Sequence, residues 1–400
     1  MKSRERVKAA IYFNDPDKVP VWNSWFFDDV FVLAPMPSKS WQPGHIKEEE
    51  GIFPHTGDDI IIKMGLWKWN EPDWVKNNSD LKNKKWLNVK REEISEWGVF
   101  WNRLGNNSSM GHVGRPSLPN WKNLDEYLAK NTPNTDDSSK YSFFRKISHL
   151  LGRRKYRLCM LGRGGGLFMG PSAIRGFSNF LIDHKRNRKE LIKLVDHYTE
   201  WLISSMDAWI KYGGKPDGFL INEDLGEQNG PFVSPKTFKE IYEPFYRRIF
   251  KAAHDRGCEI HQHCCGKVDS LLPLLIDWGL DAIEFDSPRM CGYNDLSPFR
   301  GKIMIWGCIN IQSIYTKGSP QECEREVWHM MRNLGTQHGG FGAYFYSQSD
   351  QINVPKENYR AFKKGLIKYG TYSNIPKKWW DYPITKIWNP NEVPPLPDNI

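Results

Sequence analysis

The chain has 400 residues, enough for one large α/β barrel or for two domains of ordinary size. Hydrophobic residues make up 39% and charged residues 26%, a balance that is typical of a globular chain and argues against wholesale disorder. The formal net charge is +9, but the lysines and arginines are scattered and accompany no recognisable nucleic-acid module, so nucleic acid is not an expected partner.

The N-terminus and the cysteines bear on localisation. The opening segment MKSRERVKAAIYFNDPDKVP lacks the apolar core of a signal peptide, and no run of about 18 apolar residues is present that would span a membrane. The seven cysteines are odd in number and lack the regular spacing of a disulfide framework. We therefore expect a cytoplasmic protein without a membrane partner.

The first half of the sequence has the less regular pattern. Three short apolar runs, 18–23, 58–65 and 156–161, are predicted to be strands. The segment 86–103 predicts a hairpin inserted in a loop, and the polar segment 131–140 predicts a loop of its own.

The second half alternates between short apolar runs and segments with helical periodicity. Two of the predicted helices start with Ser-Pro, at Ser234 and Ser319, and Glu322 completes a capping box with Ser319. Further strands are predicted at 217–222, 258–263, 281–286, 302–307 and 342–347.

The predicted elements indicate one α/β domain. Strands that alternate with helices pair in parallel through right-handed crossovers, and eight of them favour a single (β/α)8 TIM-type barrel over an open doubly wound sheet. We expect this barrel, with an N-terminal helix and the hairpin insertion, to occupy residues 1–370. The Pro- and Trp-rich tail, 371–400, is expected to be irregular and to wrap the surface or meet a partner.

The segment HQHCCG, residues 261–266, contains two histidines and two cysteines. Side chains alternate along a strand, so His263 and Cys265 share a face with His261 one layer deeper, whereas Cys264 faces the outer helices. His263 and Cys265 fall at the carboxyl end of the strand, where barrel enzymes build their active sites. Imidazole and thiolate at this spacing can bind one Zn²⁺, although packed core residues and a free thiol remain the alternative.

Other predicted strands end in polar groups at the same rim. Asn222, Glu223, Asp224 and Gln228 follow one strand, and Asp286 follows another. A single carboxylate at such a position is more often a helix cap or an ion-pair partner. Several that converge on one mouth can act as acids, bases or metal ligands.

Taken in order, the motifs resemble the uroporphyrinogen decarboxylase superfamily. The resemblance covers residues 3–370 and implies a (β/α)8 barrel, in agreement with the strand count. It is carried by the segments SRERVKAAIYFNDPDKVPVW, IRGFSNFLID, GFLINEDLGEQNGPFVSPKTFKEIYEPFYRRIF, EIHQHCCGKVDSLLPLLIDWGLDAIEF, IMIWGCINIQ and NVPKENYRAF.

This superfamily contains two chemistries. Its porphyrinogen decarboxylases remove carboxylates from a tetrapyrrole without a cofactor and use arginines near the first strand, where the stretch VPVWNSWFFDDVFV of this chain has none. Its corrinoid-dependent methyltransferases share an H-x-C-G element, here His263, Cys264, Cys265 and Gly266. The chain therefore resembles the methyltransferase branch more closely than the true decarboxylases.

The methyltransferase resemblance implies a metal and a co-substrate. In that branch the His and the Cys, here His263 and Cys265, bind zinc, which activates a thiol for attack on a methylcorrinoid carried by a partner protein. The third ligand of the branch is a Cys before the last helix, where this chain reads SQSDQINVPKEN. Asp350 or Glu223 is expected to take its place, because carboxylates also bind zinc.

The same hypothesis assigns the remaining residues of the site. Glu223 and Asp224 are expected to have catalytic roles. Contact with a small-molecule substrate is expected from four residues, Trp22, Asn222, Gln228 and Asp286. A cofactor-free decarboxylase and a diverged metal-free barrel with a binding role are the alternatives. The sequence leaves open the methyl donor, the acceptor and the oligomeric state, a homodimer included.

Overall fold

The structure, a computed structural model, describes residues 1–23, 28–38, 52–54, 90–104, 111–151, 154–162, 165–346, 352–375 and 377–380. The chain divides into two compact units. The first unit comprises Met1–Leu33, Leu151–Cys159 and Pro216–Ile400, and the second comprises Ala34–Leu150 and Met160–Lys215.

Twelve strands lie in the described residues. They are β1 Val21–Asn23, β2 Val30–Leu33, β3 Ile52–Pro54, β4 Lys90–Ile94, β5 Phe100–Leu104, β6 His112–Arg115, β7 Tyr156–Met160, β8 Gly218–Asp224, β9 Glu259–Cys265, β10 Ala282–Phe285, β11 Met304–Gly307 and β12 Phe341–Phe345. Eight of them form one sheet in the order β1-β12-β11-β10-β9-β8-β7-β2.

The eight parallel strands form a nearly closed barrel, which confirms the predicted (β/α)8 fold. This sheet belongs to the first unit, apart from the last residue of β7. Its two end strands, β1 and β2, approach each other where the backbone N–H of Asp29 donates to the carbonyl of Val21 at 2.8 Å. The side chain of Asp29 in turn accepts from the N–H of Val21 at 2.9 Å.

The register of the pairs decides which side chains share the inside of the barrel. His263 in β9 is paired with Asn222 in β8 and with Glu284 in β10, and Glu284 is paired with Trp306 in β11. Paired residues of neighbouring strands point to the same face. These four residues therefore form one inward row, with Cys265 two positions further towards the carboxyl end.

The helices of the first unit follow the predicted signals. Ser234 caps the helix that starts at Pro235 by accepting from the N–H of Thr237, and Ser319 and Glu322 form the predicted capping box. No helix in the described part of the chain is both long and apolar enough to cross a membrane. The helices of this unit are Ser3–Ile11, Pro235–Asp255, Leu272–Trp278, Pro288–Cys291, Tyr293–Leu296, Ile314–Lys317, Pro320–Leu334, Lys356–Tyr369 and Lys377–Trp380.

The second unit contains the four-stranded sheet β3-β4-β5-β6. Strands β4 and β5 pair antiparallel from Lys90↔Leu104 to Ile94↔Phe100, which confirms the hairpin predicted at 86–103. Its helices are Leu124–Asn131, Ser142–Leu151, Met169–Arg175, Phe177–Arg186 and Arg188–Ala208, the last continuing as a π-helix over Trp209–Gly213.

Seven of the eight predicted strands are confirmed as strands of the barrel. The eighth, 58–65, lies outside the described residues, and the barrel strand that the sequence analysis missed is Val30–Leu33. No helix separates this strand from Val21–Asn23 in the described chain, so the alternating pattern did not reveal it. The described part of the C-terminal tail consists of two short helical turns, Tyr372–Asn374 and Lys377–Trp380.

Gln262 is an unusual residue of β9 because its amide is fully buried, and neither its Nε2 nor its Oε1 has a hydrogen-bond partner in the described chain. A buried polar group without a partner costs about 1–3 kcal/mol of stability. Gln262→Met, which keeps the volume and removes the amide, should raise the free energy of unfolding by about 1–2 kcal/mol.

Chemical denaturation measures this change. Gln321→Met, at an exposed position of the helix Pro320–Leu334, is the matched control and should change the free energy of unfolding by less than about 0.5 kcal/mol. A loss of stability in Gln262→Met would contradict the prediction, because it would mean that the amide is paired.

Candidate active site

His263 stands at the centre of a polar group at the carboxyl end of the barrel strands. Its Nδ1 is hydrogen-bonded to Oε2 of Glu284, and its Nε2 lies 3.4 Å from Sγ of Cys265 and 3.8 Å from Oδ1 of Asp224. Because the Glu284 carboxylate accepts from Nδ1–H, Nε2 is the nitrogen that can offer a lone pair to a metal once it has lost its own proton. The imidazole is therefore oriented as a ligand towards Cys265 and Asp224.

Two groups of three residues come together here. Asp224, His263 and Cys265, the Asp–His–Cys cluster, have ligand atoms that all lie within 4.8 Å of one another, and so do His263, Glu284 and Asp286. The thiol of Cys265 donates to Oδ2 of Asp286 at 3.2 Å, which connects the two groups. Glu284 and Asp286 are referred to below as the carboxylate pair.

The Asp–His–Cys cluster fits a zinc ion. Tetrahedral Zn²⁺, with Zn–N of about 2.0–2.1 Å and Zn–S of about 2.3 Å, holds its ligand atoms about 3.3–3.6 Å apart. The distances from His263 Nε2 to Cys265 Sγ and to Asp224 Oδ1, 3.4 and 3.8 Å, are close to these values. Sulfur, nitrogen and oxygen donors suit zinc, and three protein ligands leave a fourth position for a substrate, as in catalytic zinc sites.

Glu284 supports the cluster by accepting a hydrogen bond from Nδ1 of His263, the ring nitrogen that faces away from Cys265 and Asp224. A carboxylate that accepts from the second nitrogen of a metal-binding histidine fixes the tautomer and the orientation of its ring and raises its basicity. Glu284 is only 1% exposed, so water does not compete for this contact. Nothing in the local sequence pattern singles out Glu284, but its register with His263 places it on the same face.

Burial sets the protonation states of the cluster in the absence of a metal. It raises the pKa of the Cys265 thiol to about 12, against the opposing effect of His263, and it raises the pKa of Glu284 to about 7. Burial alone would lower the pKa of His263, but Glu284 and Cys265 together raise it well above its ordinary value. A metal-free Cys265 is therefore a thiol at neutral pH and becomes a good ligand only by losing its proton.

The structure corrects the assignment of Glu223. Although it directly precedes Asp224, its side chain lies on the opposite face of β8, where it accepts from the hydroxyl of Tyr246 at 2.7 Å in the helix Pro235–Asp255. Neighbouring residues of a strand point to opposite faces, so Glu223 cannot join His263 and Cys265 around one ion. The carboxylate that does join them is Asp224, and Asp350, the other expected third ligand, lies outside the described residues.

Two of the four expected substrate-binding residues lie at the cluster. Asn222 belongs to the same inward row as His263, and Asp286 accepts from Cys265. Trp22 is 6% exposed and packs edge-on against Trp306 and Tyr344, with ring centroids 5.7 and 5.1 Å apart. It therefore forms part of the barrel wall rather than an exposed cover.

Gln228, the fourth expected substrate contact, is not at the cluster. It is exposed in the loop after β8, which is closed by a bridge between Gly226 and Pro231. The backbone of this loop is held against the loop after β9. Gly266 has a φ of +92°, and a Cβ at this position would lie 2.2 Å from the carbonyl oxygen of Gly226, so only glycine fits. The N–H of Lys267 also donates to the carbonyl of Glu227 at 2.7 Å.

One layer deeper, His261 is fully buried, as predicted. Its Nδ1 accepts from Nε1 of Trp306 at 3.3 Å, so its Nε2–H donates to the hydroxyl of Tyr156 at 2.8 Å. The hydroxyl of Tyr156 in turn donates to Oε2 of Glu259 at 3.0 Å. Burial lowers the pKa of His261 to about 4, so this histidine is neutral. Both of its ring nitrogens are hydrogen-bonded within the protein, so it packs beneath the site and is not available as a metal ligand.

Comparison with known proteins identifies the family. Residues 101–352, more than half of the chain, match the family model described as "Uroporphyrinogen decarboxylase (URO-D)". The chain belongs to the uroporphyrinogen decarboxylase family. No curated protein sequence matches it.

Solved structures add a likeness of fold. A methyltransferase from Methanosarcina mazei is similar with a TM-score of 0.56 and 16% sequence identity, over 92% of this chain and 99% of that one. At this level of identity the similarity supports the fold alone. Xylanase B from Clostridium stercorarium F9 (9% identity, 55% of this chain and 81% of that one) and the catalytic domain of a β-amylase from Paenibacillus polymyxa (8% identity, 92% and 95%) both reach a TM-score of 0.33, which is too low to support a relationship.

The environment of Cys265 predicts how its thiol reacts. In metal-free protein, alkylation of Cys265 by iodoacetamide should be slow near neutral pH and accelerate as the pH rises, because the thiolate is the nucleophile and burial raises the pKa of this thiol to about 12. Added zinc should slow the reaction further by occupying the sulfur. Mass spectrometry locates the label.

The other six cysteines serve as internal controls. Cys265 is partly exposed, whereas the other cysteines are buried and should remain unmodified in the folded protein. Rapid modification of Cys265 near neutral pH would contradict the prediction and would mean that His263 already holds it as a thiolate.

Proposed function

We propose that the protein is a zinc-dependent methyltransferase that moves a methyl group from a methylcorrinoid, carried by a partner protein, to a thiol or similar small acceptor. The chain belongs to the uroporphyrinogen decarboxylase family and shares its fold with a methyltransferase, and a role in methyl transfer is compatible with both findings. The H-x-C-G motif supports the corrinoid-dependent type. The observation that carries the proposal is the Asp–His–Cys cluster with Glu284 behind His263.

Three side chains of this chain would hold the zinc. His263 contributes Nε2, because Glu284 keeps the proton on Nδ1, while Cys265 contributes Sγ and Asp224 contributes a carboxylate oxygen. Bound at the fourth position, an acceptor thiol would have its pKa lowered by the zinc, so that a thiolate nucleophile exists at neutral pH.

Asp286 has a separate part in this proposal. It lies 3.2 Å from the sulfur of Cys265, where it accepts a hydrogen bond from the thiol in the metal-free protein. When Cys265 binds the metal as a thiolate, the thiol proton leaves and the Asp286 carboxylate becomes an acceptor for another donor. The carboxylate pair therefore lies beside the position that the substrate would occupy.

The proposed reaction is a transfer of a methyl cation equivalent. The acceptor sulfur forms a bond to the methyl carbon with its own electron pair. The bond between that carbon and cobalt breaks, its electron pair remains on the corrinoid, and the thiol proton is released to solvent. Asp224, His263 and Cys265 would fix the position of the metal and so of the acceptor sulfur. Part of the entropy of bringing the reactants together would then be lost on binding rather than in the transfer step.

Metal content tests the cluster. Purified protein should contain about one zinc per chain, and His263→Ala and Cys265→Ala should lose it, because two ligands bind zinc weakly. Elemental analysis measures the stoichiometry. Glu223→Gln is the matched control, since it changes the neighbouring carboxylate on the opposite face of β8 and should retain the zinc. Wild-type protein that binds no zinc would contradict the proposed function.

The contact between Glu284 and His263 can be tested separately. Glu284→Gln keeps the side-chain volume but weakens the acceptor for Nδ1–H, so zinc affinity should fall about 10–100-fold in competition with a chromophoric chelator. Glu259→Gln changes a buried carboxylate on the same strand as His263. The partners of Glu259 are Lys8, Tyr12 and Tyr156, none of them in the cluster, so the zinc affinity should stay unchanged. Equal affinity in Glu284→Gln and wild type would contradict the assigned role of Glu284.

Activity is tested with methylcobalamin as a stand-in for the corrinoid protein. Zinc-loaded protein should demethylate it in the presence of a small thiol, and the corrinoid absorption spectrum follows the reaction. Chelation of the zinc should abolish the activity. Release of CO₂ from a porphyrinogen that survives chelation would instead support the cofactor-free decarboxylase.

A further inference from the structure

Glu284 offers a hydrogen-bond acceptor that the described chain does not use. Its Oε2 is engaged by His263, but its Oε1 is buried and has no hydrogen-bond partner among the described residues. The side chain belongs to the inward row, so this oxygen faces the inside of the barrel. A buried carboxylate oxygen without a donor is costly, and a ligand with an N–H or O–H group would relieve that cost.

Asp286 supplies a second acceptor close by. One carboxylate oxygen of Glu284, one of Asp286 and a ring nitrogen of His263 lie within 4.8 Å of one another. A tetrahedral nitrogen that donates two hydrogen bonds of about 2.8 Å spans about 4.6 Å between its acceptors. One ammonium group can therefore donate to both members of the carboxylate pair.

A second metal ion suits this place less well than an ammonium group. The Nδ1 of His263 carries the proton that Glu284 accepts and so has no lone pair for an ion, and Nε2 belongs to the Asp–His–Cys cluster. Only the two carboxylates are left as ligands, and together they offer fewer oxygens than the roughly six to eight that Ca²⁺ takes. The oxygens of the carboxylate pair are suited to accept hydrogen bonds.

The charges around the pair also favour a cation. In the described residues of the eight barrel strands the one arginine or lysine is Arg157, which pairs with Asp217 at the opposite end of the strands. The cations of the nearby rim are engaged elsewhere, since Lys267 bridges Asp269 and Asp295 at 2.9 and 2.8 Å. Among the described residues no arginine or lysine is paired with Glu284 or Asp286, and the cationic partner of the pair is His263, which engages Oε2 of Glu284 and leaves Oε1 open.

A second rim cation, Arg289, is engaged in the same way. It forms two hydrogen bonds of 2.8 Å with the carboxylate of Glu326. A bidentate ion pair of this kind fixes the guanidinium, so it is held in place by its own partner. Arg289 therefore pairs with Glu326 and does not neutralise the carboxylate pair.

We propose that Glu284 and Asp286 form a subsite for the protonated amine of the methyl acceptor, which would be a small aminothiol. Its ammonium group donates to the carboxylate pair while its sulfur reaches the fourth position of the Asp–His–Cys cluster. This inference rests on the proposed function, since it names the class of acceptor for the same site. Charge-assisted hydrogen bonds from the ammonium group supply the selectivity.

Three thiols of the same length test the subsite, namely 2-aminoethanethiol, 2-mercaptoethanol and 2-mercaptoethanesulfonate, which carry a positive, a neutral and a negative group. Binding is measured without turnover by the visible absorption of cobalt(II)-substituted protein, which changes when a thiolate joins the metal. Methyl transfer from methylcobalamin to each thiol is then measured with the zinc protein. The aminothiol should bind at least about tenfold more tightly than the neutral thiol, and the anionic thiol most weakly.

A variant separates the subsite from simple chelation of the metal by the amine. Asp286→Asn removes one charge without removing a residue of the Asp–His–Cys cluster, and the preference for the aminothiol should fall about tenfold. Asp277→Asn, at an exposed position of the helix Leu272–Trp278, makes the same charge change and should keep the preference. An unchanged preference in Asp286→Asn would overturn the subsite, because the amine would then bind the metal directly.

The outcomes distinguish the two proposals. Protein that binds neither cobalt nor zinc overturns the proposed function and the subsite with it. Protein that binds metal and methylates thiols, but takes the neutral or the anionic thiol as readily as the aminothiol, overturns the subsite alone. Preference for the aminothiol that depends on Asp286 supports both.

Discussion

The contact between Glu284 and His263 is the interaction on which the rest of the site depends. It keeps a proton on Nδ1, reserves Nε2 for a ligand, and so orients the imidazole towards Cys265 and Asp224. The same contact keeps an acidic group buried, which costs free energy unless it is hydrogen-bonded. This cost has no evident benefit in a barrel that binds nothing here. In a metal site, the buried carboxylate orients the histidine and makes it more basic.

The geometry of the sheet turns this contact into a cluster. Parallel pairing brings Asn222, His263, Glu284 and Trp306 into one row, and Asp224 and Cys265 follow two positions later. The pleat of the strand separates side chains that are adjacent in sequence. Asp224 therefore joins the cluster, while Glu223 turns to the outer face and pairs with a tyrosine.

The cluster is packed from above and from below. Above it, the backbones of the loops after β8 and β9 are in contact at Gly226 and Gly266, and the N–H of Lys267 donates to the carbonyl of Glu227. Below it, His261 is held neutral between Trp306 and Tyr156. Both features limit the entropy lost when a ligand is bound and aligned, which suits a site that positions a substrate.

The sequence by itself determined the local features of this protein. Alternating apolar runs and capping signals predicted seven barrel strands, and the pleat within one strand separated His263 and Cys265 from Cys264. Only the tertiary structure decided that Val30–Leu33 completes the barrel, that Glu284 supports His263, and that Asp224 rather than Glu223 lies beside His263 and Cys265. These features depend on the register between strands that are distant in sequence, and that register is set by pairing across the whole sheet rather than by any local pattern.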